Sequence, residues 1–180
     1  MTYPTLSLTE SQTLTALRSF LLAILPSGTE VVKGQDVRVP EPMGDNFVEM
    51  TPVMRERQAT NVTTYTDGFP INPSVRSDLQ STRVTVQLDV HGPASADNTQ
   101  LITTLFRSDY GASQFATSGF DVQPLYNSEP RQIPFLNGEQ QIEYRWSVDA
   151  VMQCNPIVTN TQQFASQLSV AETIAADINA

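Results

Sequence analysis

A chain of 180 residues has the length of one domain. Its 39% hydrophobic and 16% charged residues are both low, with Gln, Asn, Ser and Thr making up the difference, yet the apolar residues fall in periodic segments that support a core. A net charge of −9 excludes a basic surface that grips nucleic acid, while leaving room for one past which DNA slides without sticking.

Thr9 opens the first element, with Gln12 three residues on in a capping-box arrangement. Leu14, Leu17, Leu21, Ile24 and Leu25 follow at helical spacing, and Pro26-Ser27-Gly28 stops the helix. Glu30–Lys33 predicts a short strand turning at Gly34, and proline-rich 37–44 an extended connection. A second strand runs from Phe47 to Arg57, with Pro52 making its middle an edge or a bulge. Residues 58–78 lack regular patterning and predict a long projecting loop folded as a hairpin that turns near Asp67-Gly68.

The clearest strands come next. Val84, Val86, Leu88 and Val90 alternate with polar residues, as do Ile142, Tyr144, Trp146, Val148, Ala150 and Met152. Period-2 alternation gives one buried and one wet face, the pattern of an antiparallel sheet. Counted from Leu79, the first strand spans ~40 Å, as wide as a compact domain of this size, so both strands cross the body. Between them Ser95 is the expected N-cap of a second helix with Asp97 in its first turn, ended at Tyr110-Gly111. Phe120–Leu125 is a further short strand. After Asn155-Pro156 the chain turns polar, with isolated apolar positions such as Phe164 and Leu168, and reads as a weak helix or an arm. The expected fold class is therefore α+β: an antiparallel β-sheet with two long strands, packed by two α-helices. The domain occupies 1–156, with the projecting loop 58–78, and the C-terminal arm occupies 157–180.

Patterns that carry chemistry are sparse. One histidine, His91, and one cysteine, Cys154, cannot build a structural zinc site or an internal disulfide. No nucleophile elbow, phosphate loop or calcium loop accompanies them. A small hydrolase using His91 is the outlying alternative; a strand-end histidine and a structural thiol are the simpler readings. The lone cysteine suits a reducing compartment. With neither a basic-plus-apolar leader nor a membrane-length apolar run, the expectation is a cytosolic chain with no membrane role, no cofactor and no enzymatic activity. Arginine outnumbers lysine nine to one, a bias that suits interfaces because the planar guanidinium pairs with carboxylates and stacks on aromatics. Arg55, Arg57, Arg76 and Arg145, together with Tyr65, Phe69, Phe164 and Leu168, are the candidate subunit or partner contacts.

Read in order, several segments resemble one family. They are the helix Leu14–Leu25, Val32-Lys-Gly-Gln-Asp-Val-Arg-Val-Pro40, Phe47-Val-Glu-Met-Thr-Pro52 and Gln87-Leu-Asp-Val-His-Gly-Pro-Ala94. Phe106-Arg-Ser-Asp-Tyr110, Pro124-Leu-Tyr126, Glu143-Tyr-Arg-Trp146 and Gln153-Cys-Asn-Pro156 follow. Across about residues 10–165 the chain looks like the neck or tail-terminator proteins of long-tailed bacteriophages. The resemblance implies a structural virion protein made in the host cytoplasm and placed at the neck. It implies a homo-oligomeric ring, usually a hexamer, that caps the tail tube and joins it to the head-to-tail connector. DNA would pass through its lumen without specific binding. Contact with the sheath, or a head-completion role, is the alternative within the same particle.

Overall fold

The computed structural model describes residues 3–35, 42–68, 72–136 and 142–163. In chain order its elements are β1 (Thr5–Leu6), α1 (Glu10–Ile24), β2 (Glu30–Lys33), β3 (Phe47–Arg57), β4 (Val62–Thr66), β5 (Val75–Leu79) and β6 (Thr82–His91). Then come α2 (Ser95–Phe106), α3 (Asp109–Thr117), β7 (Val122–Asn127), β8 (Arg131–Gln132), β9 (Phe135–Leu136), β10 (Ile142–Glu143), β11 (Arg145–Cys154) and β12 (Ile157–Thr161). The class is α+β.

Helix α1 starts as its sequence dictates. The Thr9 hydroxyl accepts the Gln12 N–H, and the Gln12 side chain accepts the Thr9 N–H at 2.8 Å, so two otherwise orphaned donors are satisfied. Helix α2 is capped differently from expectation. Ala94, not Ser95, is its N-cap, and Asn46 Oδ1 accepts the Ala94 N–H at 3.0 Å from across the fold. A third helix, α3, begins where the second was expected to end. The Ser108 hydroxyl caps it by accepting the Gly111 N–H at 3.2 Å. Gly111 is there for closeness, since a Cβ would collide with the carbonyl oxygens of Leu105 and Phe106.

The three helices cover one face of a sheet ordered β2-β3-β6-β11-β7, with β8 paired to β11. Among the described residues only the β2–β3 pair is parallel. Val84, Val86, Leu88 and Val90 of β6 face the helices, with Val148, Ala150 and Met152 of β11 beside them, all buried. Each helix contributes one phenylalanine to the centre. Phe20, Phe106 and Phe115 are fully buried, with ring centroids 5.4 to 5.8 Å apart, and burying each ring stabilises the fold by about 1.5–3 kcal/mol. Ile142 and Tyr144 depart from the expected buried face: they are 72% and 61% exposed, because they precede β11 and extend past the helical layer.

Within 58–78 the strands β4 and β5 pair antiparallel, as the hairpin expected there requires, while the first residues of the expected arm form a strand, β12. These three, with β1, make a second sheet ordered β1-β12-β5-β4. It continues the first. Cys154 pairs with Thr82, and Ile157, three positions on, pairs with Leu79, three positions back. The register is thus unbroken from Arg145↔His91 to Thr161↔Val75. Residues 75–91 are therefore one 17-residue path, about 55 Å at the usual rise of a strand. On its other flank β3 and β4 follow the same path. Val53 bulges where Pro52 interrupts the ladder, between Pro52 and Met54.

Candidate assembly surfaces

The second sheet has no core. None of the residues in β1, β4, β5 and β12 is buried, although Leu6, Val62, Tyr65 and Val158 are between 38% and 58% exposed. Its strands are held by ladder bonds and polar cross-strand pairs. Asp78 accepts the Thr63 hydroxyl at 2.6 Å and the Arg76 guanidinium at 3.0 and 3.3 Å. Those two partners, the hydroxyl first, hold the Asp78 carboxyl below its usual range, and the same pairing raises Arg76. The Ser77 and Thr159 hydroxyls meet at 3.2 Å. Such a sheet presents its side chains outward on both faces, and a few strands without a packed face are marginal alone.

At the seam between the sheets lies a groove of about 470 Å³. Leu8, Leu6, Pro156 and Val158 supply its apolar part, while Arg55 and Arg57 stand on the β3 side. Arg55 reaches Glu10 only at 3.9 Å, and Glu10 also pairs with Lys33 at 3.5 Å. Glu56, between the two arginines, turns to the other face and pairs with Arg83. The groove lining thus holds two guanidinium groups against one carboxylate, Asp78, in a chain of net −9.

A different surface lies at the other end of the long strands. There β9 and β10 form a hairpin in which Leu136 opposes Ile142. Leu136, Ile142 and Tyr144 are 65%, 72% and 61% exposed. Just inside it, Arg145 Nε lies 3.4 Å from the buried Asp89 carboxylate. The His91 ring stacks on Phe47 at 4.4 Å with 6° between the planes. Burial holds the imidazole below its ordinary value of 6.5, with Asp89 pulling the other way.

Four of the sequence-derived contacts, Arg55, Arg57, Tyr65 and Arg76, therefore lie along the second sheet and its seam. Arg145 does not join them; it is at the opposite end, turned against Asp89 as part of the fold. Phe69, Phe164 and Leu168 lie outside the described residues. The exposed apolar residues Leu6, Val62, Ile142 and Tyr144 escape sequence reasoning because apolar alternation signals a buried face, whether or not anything covers it. Cys154 is buried, its Sγ 3.9 Å from the Thr13 hydroxyl, and burial pushes the thiol up. Among the described residues no three His, Cys, Asp or Glu side chains converge as a metal site, and no helix is long and apolar enough to cross a membrane.

No curated protein matches the chain. Among solved structures, the sheath/tube terminator of an extracellular contractile injection system, PVC, in its extended state, is similar with a TM-score of 0.43 and 11% identity. That match covers 96% of this chain and 65% of the other. A family model described as phage neck terminator protein matches residues 11–177, nearly the whole sequence. The chain belongs to the phage neck terminator protein family.

Proposed function

We propose that this neck terminator works as a ring, six-fold by expectation, that caps the tail tube and joins it to the head connector. The supporting observation is that one strand path, β10–β11–β12, carries a different uncovered β-surface at each end. The apolar hairpin of Leu136 and Ile142 is at one end, and the coreless sheet of Val62, Tyr65 and Val158 is at the other. Head-to-tail closure of a ring requires two unlike surfaces on each subunit, set apart on a rigid body. The helical layer between them supplies the rigidity, and the unbroken register of the ribbon transmits it. An acidic ring would repel the DNA passing through its lumen and so leave it mobile. Sheath contact belongs to the same proposal, on faces the ring leaves outward. The chain's place is the virion neck after synthesis in the host cytoplasm. Its role is structural: His91 lies against Phe47 with its imidazole largely withdrawn from solvent, which supports no hydrolytic use.

Native mass spectrometry and negative-stain microscopy, with and without purified tail tubes, test this. A closed ring, free or formed on tube ends, is the expected result. A chain that stays monomeric and leaves tube ends bare would sink the proposal.

A further inference from the structure

An unpaired sheet edge invites a further strand, and proteins guard such edges with proline, charge, bulges or a covering side chain. Among the described residues three of the longer edges are guarded and one is not. Arg18 covers the outer edge of β2, its Nε donating to the Val31 carbonyl at 3.1 Å. Strand β7 is interrupted by Pro124 and a register shift. The half of β3 that extends past β2 carries Pro52, the bulge at Val53 and the charged run Arg55-Glu56-Arg57. Strand β4, last in the second sheet, has no such guard: Val62-Thr-Thr-Tyr-Thr is uncharged, lacks proline and pairs with β5 in unbroken register. Two bonds fix which of its groups point outward. The Gln80 N–H donates to Pro156 on the β12 side, and the Ser81 carbonyl accepts from Gln58 on the β3 side. By alternation Leu79, Ser77 and Val75 turn to β4 and bond their partners Val62, Thr64 and Thr66. The backbone groups of Thr63 and Tyr65 therefore point to the outer edge.

We infer that the β9–β10 hairpin of a second copy of this chain adds to the sheet along β4. This junction rests on the ring reading given above and names the strands that make it. Both partners are unfinished. A two-stranded hairpin and a sheet without a packed face are each marginal alone, and joined edge to edge they form one larger sheet. Their faces match as well. Side chains alternate along a strand, so Thr63, beside Asp78, lies on the groove face with Arg57, while Val62 lies on the reverse face in a cross-strand row with Leu79 and Ile157. The hairpin divides in the same way: Leu136 and Ile142 oppose each other on one face, and Glu143 belongs to the other. With Ile142 set beside Val62 the apolar row gains two members, and Glu143 comes to the face that holds Arg55 and Arg57. Apolar then meets apolar and acid meets base in one register, and a slip of one residue reverses both matches. The hairpin and β4 lie at opposite ends of one strand path, so the contact runs head to tail and leaves each copy an end for the next.

Two substitutions at one position in the full chain test the edge. Thr63→Pro deletes an outward N–H and no ladder bond to β5, a change that an edge strand tolerates. Thr63→Val keeps that N–H and loses only the hydroxyl. Self-association, free or on tube ends, is expected to weaken about tenfold in Thr63→Pro and to stay within about threefold in Thr63→Val, with urea unfolding showing that both are folded. The register is tested by disulfide formation. Val62→Cys co-expressed with Ile142→Cys is expected to give a cross-linked dimer under mild oxidation, and neither variant alone is expected to do so. Cys154 is buried and stays out of the reaction. A ring that persists in folded Thr63→Pro, or one whose two cysteine variants yield no cross-link, would overturn the inference and leave the ring reading standing. Cross-linking of Val62→Cys to itself would overturn it too, by showing that β4 pairs with β4. A chain that stays monomeric and leaves tube ends bare would overturn both.

Discussion

The backbone N–H of Gln80 donates to the Pro156 carbonyl at 3.0 Å, and this bond bridges the seam between the two sheets. Proline has no N–H to return, so the ladder thins at this point while its register continues on both sides. The second sheet is consequently tied in direction to the helix-covered core without sharing its packing. The proposed ring would ask this of a subunit, two uncovered ends tied to one packed body.

Replacing Arg145 by Ala is expected to destabilise the fold by about 2–4 kcal/mol, because Asp89 then keeps a buried charge with its partner gone. Chemical denaturation gives the value. The paired replacement Arg145→Met with Asp89→Leu is expected to cost less than the single one, since no unpaired charge remains.

The His91 imidazole gives stability a dependence on pH. Its folded value lies below the ordinary 6.5, with burial the first cause, Asp89 and Glu143 pulling it up and Arg145 pushing it down. The unfolded chain then binds the proton more readily, so stability is full above 6.5 and is lost as pH falls below it, by at most about 1.4 kcal/mol per pH unit. Denaturation midpoints between pH 7.5 and 5.5 are expected to fall in the unaltered chain and to flatten over that interval in His91→Phe.

Gly111→Ala is expected to cost about 1–3 kcal/mol, because the added methyl meets the carbonyl oxygens of Leu105 and Phe106 where α2 turns into α3. Urea unfolding measures it. A loss of that size would separate close packing from mere helix propensity, which favours alanine at this site.

These same residues mark what the sequence made legible. The capping box at Thr9 and Gln12 is local, and the alternation of β6 and the second half of β11 reports a face that helices cover, so α1 and both long strands read cleanly. Gly111 reads as a stop because glycine ends helices more often than it permits two to touch, and α3 was missed for that reason. Strand β4, Val62-Thr-Thr-Tyr-Thr, has strand-forming residues but no buried face, so the hairpin it makes with β5 is legible from the Asp67-Gly68 turn and not from an apolar rhythm. The groove was out of reach of sequence altogether: Leu6, Arg55 and Val158 meet only because the ribbon keeps its register across Pro156.

The two uncovered ends can be separated from the fold by substitution. Val62→Thr with Tyr65→Ser changes one end, and Ile142→Thr with Tyr144→Ser the other. All four side chains are more than half exposed, so each pair is expected to leave the unfolding free energy within about 0.5 kcal/mol of the unaltered chain. Each pair is also expected to remove self-association, or binding to tube ends, in native mass spectrometry and microscopy. Head-to-tail pairing makes a sharper demand. A subunit altered at one end keeps the other surface intact, so an equimolar mixture of the two variants is expected to form dimers through the one junction that both can still make. Neither variant alone should do so, and neither should close a ring. Dimers formed by either variant by itself would mean that like surfaces pair with like, which is incompatible with a head-to-tail ring.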